Sequence, residues 1–458
     1  MNNAPVTPGT FQGYGTKPYR AYILGVLVVI YTFNFIDRLL VSIVQEDIIR
    51  EFGVSNFMVG LLGGPVFAIL YTTLGVPIAR LAERANRITI VSIGAFFWSL
   101  MTAACGFAAN FWQLALCRLG VGIGEAACVP PSQSAIADYF PADRRATALS
   151  IFSLGIPLGS AMAYLGGGWL VANFDWRTAF IMLGAPGILA ALLLKLTVKE
   201  PPRASGQATP PKFGETLKAL SGKASFWHTA FGGALISFVG YGSSQFLVSH
   251  IVRNYTLGPT PADEIAMASY AMGAVAGIST AIGTFMGGFL SDRLGARHPR
   301  VNSWLPALGV SLAIPLYVLS FMQTDFLWAF VFLMLAPIVH YIYLGPMYAV
   351  TMGVSQPLQR ATAIAIVILI VNLIGYGLGP PFVGAANDFF ASQILADTST
   401  ITLSQCDPRT VSAENAAACA AAQGLGLKYA LGATIFFLGW AALHFLLAGR
   451  TLEKDRVG

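Results

Sequence analysis

The sequence predicts an all-α membrane protein of twelve spans in two pseudo-symmetric six-helix bundles, and three observations predict it. The first is composition. Of 458 residues, 55% are hydrophobic and 10% are charged, with a mean hydropathy of +0.66. A soluble domain carries about 25% charged residues, so lipid must be the main solvent here. The second is the twelve-fold recurrence of apolar runs long enough to cross a bilayer. The third is the placement of basic residues, which decides more than the net charge of +6. In a soluble chain that charge would suggest nucleic acid; its distribution points to a membrane instead.

The elements follow in order. Residues 1–20 form a polar N-terminal tail, rich in Gly, Pro and Thr, with no pattern of a cleavable signal. The first apolar run then serves as both address and first span. A helix crossing ~30 Å of hydrocarbon needs ~20 residues at ~1.5 Å each. Such runs fall at 21–44, 57–81, 88–108, 111–138, 147–172 and 176–198, giving an N-terminal bundle over 21–198. A Pro- and Lys-containing linker occupies 199–224. Six more runs, at 225–252, 265–291, 301–322, 326–352, 361–386 and 425–449, make a C-terminal bundle over 225–449. Its last two spans are separated by a Ser/Thr/Ala-rich loop at 387–424, and a tail follows at 450–458. Closed β-barrels use alternating segments of ~10 residues; these runs do not alternate.

Orientation follows from Lys and Arg. With both termini in the cytoplasm, the inner face receives 20 of the 27 basic residues, among them Arg80, Arg84, Arg87, Arg203, Lys212, Arg293 and Arg297. The outer face receives Arg50, Arg177, Arg253, Arg409 and Lys428, and Arg38 and Arg118 stay within spans. A bias of this size matches the rule that cytoplasmic loops are basic. It places the linker inside and the loop 387–424 outside; the expected location is the cell (inner) membrane.

An internal repeat divides the chain. Leu81-Ala82-Glu83-Arg84 follows span two and Leu290-Ser291-Asp292-Arg293 follows span eight, 209 residues on. Each closes on a basic tail, at Arg87 and at Arg297. A second echo pairs Gly155-Ile156-Pro157-Leu158-Gly159 in span five with Gly375-Tyr376-Gly377-Leu378-Gly379 in span eleven. Small residues let helix backbones approach, and Pro loosens a helix where neighbours satisfy the freed carbonyl.

Four ionisable groups sit within spans: Asp37 and Arg38 in span one, Arg118 and Glu125 in span four. Each costs ~2.5–3.5 kcal/mol at mid-helix on insertion scales, so all four must face a cavity or one another. Arg118 and Glu125 are seven residues, about 10 Å, apart on one helix face, too far for direct pairing. Asp37 lies about 24 Å up span one by the helical rise, level with Arg118. The expectation is an Asp37–Arg118 pair, with Glu125 deeper and less well paired, hence suited to carrying a proton. Arg38 or Arg118 would then hold an anionic headgroup, for which guanidinium is the apt donor. The plainer reading is a lock between spans one and four.

These motifs resemble the major facilitator superfamily across the whole chain. The loops 75–87 and 287–297 are similar to its G-x-x-x-D-R-x-G-R signature, with Glu83 and Asn86 as departures in the first copy. Arg118, Gly122 and Gly124 match R-x-x-x-G-x-G, and Asp175-Trp176-Arg177 with Phe180 is a further family mark. Asn34-Phe35-Ile36-Asp37-Arg38 together with Glu125-Ala126 is most similar to the spinster group, and anion:cation symporters share a similar Asp-Arg. The resemblance implies a transporter with proton coupling and a single-chain lipid such as a lysophospholipid or sphingoid phosphate as cargo, and the intramembrane Asp37, Glu125 and Arg118 are the candidates for that coupling. A small organic anion held by Arg38 and Arg118 is the alternative. It also implies a conformational gate at Glu83, Arg84, Arg87, Asp292, Arg293 and Arg297.

Further candidates for the substrate site are Asn34, Tyr241, His340, Tyr343, Asn372 and Tyr376, although a buried histidine is more often structural. Cys406 and Cys419 share the outer loop, which admits a disulfide in an oxidising compartment. The histidines at 228, 250, 298, 340 and 444 show no metal-ligand spacing, and no cofactor is implied. Gly120-x-Gly122-x-Gly124 follows no strand and is no nucleotide loop. With no Walker lysine and no convergent nucleophile and base, an ATP-driven pump and an enzyme are disfavoured. A receptor would bring a signalling domain beyond the short tail. The expected partners are substrate, protons and membrane lipid, with a functional monomer.

Overall fold

The computed structural model describes residues 14–202, 213–295 and 297–457. Residues 1–13 of the tail, 203–212 of the linker (with Arg203 and Lys212), Ala296 and Gly458 lie outside the described residues. Among the described residues, twelve helical segments are long and apolar enough to cross a membrane: α1 Lys17–Phe52, α2 Asn56–Ala82, α3 Arg87–Cys105, α4 Phe111–Tyr139, α5 Thr147–Asn173, α6 Trp176–Thr197, α7 Ala224–Asn254, α8 Pro261–Gly295, α9 Val301–Met322, α10 Phe326–Gly353, α11 Pro357–Thr398 and α12 Ala413–Asp455. Twelve crossings return the chain to its starting face, here termed the terminal face; the α1–α2 turn marks the opposite face.

Local chemistry sets the helix ends. Gly53, at φ +60°, closes α1 in the left-handed conformation that glycine adopts without penalty. The Ser55 hydroxyl accepts from the Met58 N–H and opens α2. Asn86, Asn110 and Asp325 cap α3, α4 and α10 in the same way. Inside the spans, π-helical turns interrupt α8 at Val275–Ser279 and α11 at Val371–Tyr376. A 3₁₀ turn at Tyr341–Tyr343 interrupts α10 just after Pro337.

The segment 387–424, expected as a loop, is largely helical. α11 continues to Thr398 and α12 begins at Ala413, because the Ala-rich run 413–422 is a strong helix former. Only 399–412 remains between them, and Cys406 and Cys419 are disulfide-bonded. Their sulfurs sit in a small apolar cluster with Ala391, Leu395 and Ala422. Part of the linker is helical too, at Phe213–Ser221.

The chain packs as two compact units that do not coincide with its two halves. Unit 1 comprises Met1–Arg38, Leu70–Ala163 and Arg177–Gln207; unit 2 comprises Leu39–Ile69, Tyr164–Trp176 and Ala208–Gly458. In unit 1, Trp98, Phe152 and Phe180 are fully buried, and Tyr31 stacks on Phe152 at 4.5 Å. In unit 2, Phe226, Phe246 and Phe445 fill the core. The glycine echo has matching contacts in the two units. A Cβ on Gly159 of α5 would lie 2.5 Å from the Thr32 carbonyl of α1, and one on Gly379 of α11 would lie 2.5 Å from the Phe238 carbonyl of α7. Each glycine is what lets its helix pair touch backbone to backbone.

Candidate functional site

Unit 1 holds a buried charged cluster built from α1, α2, α3 and α4. Asp37, Arg118, Glu125 and Asn34 are all at or below 1% exposure. Arg38 Nε donates to Glu125 Oε2 at 2.7 Å. Its guanidinium also lies over the Tyr71 ring at 4.5 Å and near Phe35 at 5.1 Å, a cation–π setting that suits a desolvated arginine. Arg118 Nη1 donates to the Asp37 backbone carbonyl at 3.0 Å.

Arg118 meets Asp37 as expected, though through the backbone carbonyl, whereas Glu125 is better paired than expected. Glu125 is the acid with the short ion pair, and its partner is Arg38. Arg118 grips the α1 backbone at Asp37. Height along the two helices was a sound guide to which groups meet; it could not assign partners, because a long arginine side chain reaches a full turn along its neighbour.

Several polar atoms in this cluster are buried without a hydrogen-bond partner among the described residues: Asp37 Oδ1, Glu125 Oε1, both amide atoms of Asn34, Thr102 Oγ1 and Trp98 Nε1. Thr102 is the polar neighbour of Asp37 and Asn34 that of Glu125. Buried polar groups are nearly always satisfied, so this concentration marks a place built to receive a polar ligand or a proton. Tyr71, Trp98 and Thr102 carried no signal in the sequence beyond their positions in apolar runs.

In unit 2, the remaining candidates form two neighbouring groups. His340 is 1% exposed, with Tyr317 Oη 3.5 Å from Nδ1 and the Tyr341 ring 5.0 Å away. Gly240 of α7 faces the same imidazole, and the Tyr343 hydroxyl meets Ser237 Oγ at 3.3 Å. Tyr241 packs on Tyr376 at 4.6 Å, and Tyr376 on Phe67 at 5.3 Å. Asn372 is half-buried on the π-helical turn of α11, a distortion frequent at functional sites.

The loop residues divide. Glu83, Arg84, Asp292, Arg293 and Arg297 are exposed, whereas Arg87 is 2% exposed. Arg87 reaches Asp138 at 2.5 Å, Glu200 at 2.6 Å and both oxygens of Ser134 at 3.0 Å. Asp138 and Glu200 were missed because they close α4 and open the linker, far from the motif in sequence.

At the opposite face, unit 2 contains a polar latch that was also missed. Arg253 of α7 donates to Glu46 of α1 at 2.8 Å, to Asn56 of α2 at 2.8 Å and to Gln423 of α12 at 3.3 Å. Asp388 of α11 accepts from the backbone N–H groups of Asn56 and Phe57 and from the Asn56 side chain, capping α2 from a distance. Beside it, Gln45 bonds to Gln245 at 2.9 Å and to Ser249. Arg409 of the 399–412 loop lies over Gly53 and holds Asp407 at 2.9 Å. Opposite charges at the ends of α1 and α7 were the available clue; the sequence reading used Arg253 only for topology.

Comparison with known proteins places this geometry. The model of the Major Facilitator Superfamily matches residues 27–380. A protein named MFS-type efflux pump, from Mycolicibacterium smegmatis, is 33% identical over 81% of this chain and 85% of its own length. Human protein spinster homolog 1 is 30% identical over 82% of this chain and 74% of its own. Among solved structures, a bacterial homologue of the human lysosomal transporter spinster, inward-facing and unoccupied, superposes with a TM-score of 0.88. It is 38% identical and covers 97% of this chain and 100% of that one.

Proposed function

The chain belongs to the major facilitator superfamily, as a multi-pass transporter of spinster type working by alternating access, and from that premise we propose that it couples protons to the movement of an amphipathic, lipid-like substrate. The lysophospholipid or sphingoid phosphate class fits best. The observation that carries this reading is the buried Arg38–Glu125 pair at 2.7 Å beside Asp37, whose Oδ1 has no hydrogen-bond partner.

An anionic headgroup entering this cluster competes with Glu125 for the Arg38 guanidinium, which recognises phosphate and carboxylate alike. Glu125, displaced while fully buried, is stabilised by taking up a proton, since an uncompensated buried charge is costly. Headgroup and proton then occupy the cluster together or leave it together. Asp37 acts as the second proton carrier, and Arg118 holds the α1 backbone so that the Asp37 and Arg38 side chains keep their places. Within unit 2, Tyr241, Tyr343, Tyr376, Asn372 and His340 are the further candidates for contact with the substrate. Glu83, Arg84, Arg87, Asp292, Arg293 and Arg297 act as the gate of the terminal face. The working unit is a monomer in the cell membrane with both termini cytoplasmic.

The test is flux of a labelled lysophospholipid into proteoliposomes, with and without an imposed pH gradient. Wild-type flux should rise with the gradient, and Glu125→Gln should lose that response while still folding as a monodisperse protein. Gradient-driven flux that persists unchanged in Glu125→Gln removes the proton role. No lipid flux from folded wild type transfers the reading to a small organic anion on Arg38 and Arg118.

A further inference from the structure

The histidines at 228 and 444 show no ligand spacing along the chain, yet α7 and α12 bring them face to face in unit 2. Their Nδ1 atoms are 3.0 Å apart, with ring centroids at 5.1 Å and planes tilted by 54°. Both rings are half-buried. Phe231 and Trp440 lie 6.1 and 6.0 Å from the His444 ring, and Trp227 packs on Phe231 at 6.2 Å. Phe231 is 40% and Trp440 53% exposed. His228 sits in the second turn of α7, close to the terminal face. His228 and His444 lie three and five residues inside the apolar runs 225–252 and 425–449, about 5 and 8 Å from their ends by the helical rise, so the pair is close to the headgroup layer.

Two neutral imidazoles meeting Nδ1 to Nδ1 can place only one hydrogen between them. The same spacing fits a different occupant. An imidazole nitrogen binds a divalent transition metal at about 2.0–2.1 Å. Two nitrogens 3.0 Å apart then subtend about 94° at the ion, which lies about 1.4 Å off the line joining them. That angle is close to the right angle of tetragonal coordination, the preference of Cu²⁺ and Ni²⁺, and further from the tetrahedral preference of Zn²⁺. The tautomer bearing its hydrogen on Nδ1 need only move it to Nε2 for both lone pairs to face the ion, and no net proton is released.

We propose that His228 and His444 form a two-histidine chelate for a late first-row divalent cation, Cu²⁺ or Ni²⁺ by geometry, which staples α7 to α12 near the terminal face. The described residues offer no third His, Cys, Asp or Glu ligand at any such group. Water or a lipid phosphate oxygen completes the coordination, and the ion exchanges freely rather than being a permanent part of the fold. Sequence spacing could not show this pair, since its members are 216 positions apart.

The experiment uses full-length protein without a histidine tag, in lipid nanodiscs, titrated with Cu²⁺. Tryptophan fluorescence reads binding, because Trp440 lies beside the site, and electron paramagnetic resonance reads the ligands. Wild type should bind one ion with hyperfine coupling to two imidazole nitrogens. His228→Gln and His444→Gln should each weaken binding by about tenfold or more, given that even outer-shell partners of a metal ligand cost 10–100-fold. The free cysteines remain in these variants and so control for thiol binding. A double variant that keeps the wild-type affinity and spectrum overturns the proposal. A readout without substitutions is carbethoxylation of the wild type followed by mass spectrometry. Cu²⁺ or Ni²⁺ should protect His228 and His444 and leave the exposed His298 reactive; equal modification with and without metal also overturns it.

Discussion

Arg87 makes five hydrogen bonds through one guanidinium, joining α3 to the end of α4 and to the first residues of the linker. Removing one member of a buried ion cluster costs about 3–5 kcal/mol, because the partners keep their charge and lose their compensation. Arg87→Ala should therefore lower the thermal midpoint of the solubilised protein by several degrees, whereas Arg84→Ala, at an exposed position, should leave it nearly unchanged. Asp407 answers to pH in the other direction. Its hydrogen bonds from Arg409 pull its pKa down to about 2, below the ordinary value near 3.9. A depressed folded pKa means that the contact is intact above the unfolded value and lost only as pH falls through about 2. The Asp407–Arg409 turn should thus show no change in its NMR or labelling signature between pH 7 and pH 5. At this scale, the sequence revealed which charges had to meet inside the membrane, since Asp37, Arg38, Arg118 and Glu125 had nowhere else to go. Pair assignment depended on side-chain reach, which a helical rise does not encode.

Helix pairs were legible where a repeat exposed them. The glycine echo at 155–159 and 375–379 was visible as spacing, and the backbone contacts of Gly159 and Gly379 give it a cause. A methyl group at either position meets a carbonyl oxygen at 2.5 Å, and overpacking of this kind costs about 1–3 kcal/mol. Gly159→Ala and Gly379→Ala should each reduce stability in a detergent melt, while Gly25→Ala, where nothing lies within 4 Å, should not. The extensions of α11 and α12 were hidden, because hydropathy reports the stretch in lipid and says nothing of where a helix continues beyond it. The disulfide closes that extension. Reduction should expose the 399–412 segment, and trypsin should then cut at Arg409 faster than in the oxidised protein, as read by intact mass.

Across the whole molecule, span count was legible because hydrocarbon thickness and loop charge leave few alternatives, and the superfamily was legible only through the resemblance of the loop and span-four motifs. The partition into two units was not, since no local pattern tells that the ends of α1, α2 and α5 pack with unit 2. The latch around Arg253 ties the ends of α1 and α2 to α7, α11 and α12. Glu46, Asn56, Asp388 and Gln423 converge on it from four helices. Replacing Arg253 by Gln should speed the reaction of Gln45→Cys, at a position fully buried in the wild type, with a polar maleimide by about tenfold or more, since hydrogen bonds to charged groups contribute about 1.5–3 kcal/mol. Unchanged labelling would show that apolar packing alone closes this end. The latch also has a meaning in time. Each 1.36 kcal/mol is a factor of ten in rate, so these five side chains are expected to act as an escapement, with Arg253→Gln changing the initial flux in proteoliposomes by about tenfold or more. An initial flux unchanged by Arg253→Gln would remove the latch from the timing of the cycle.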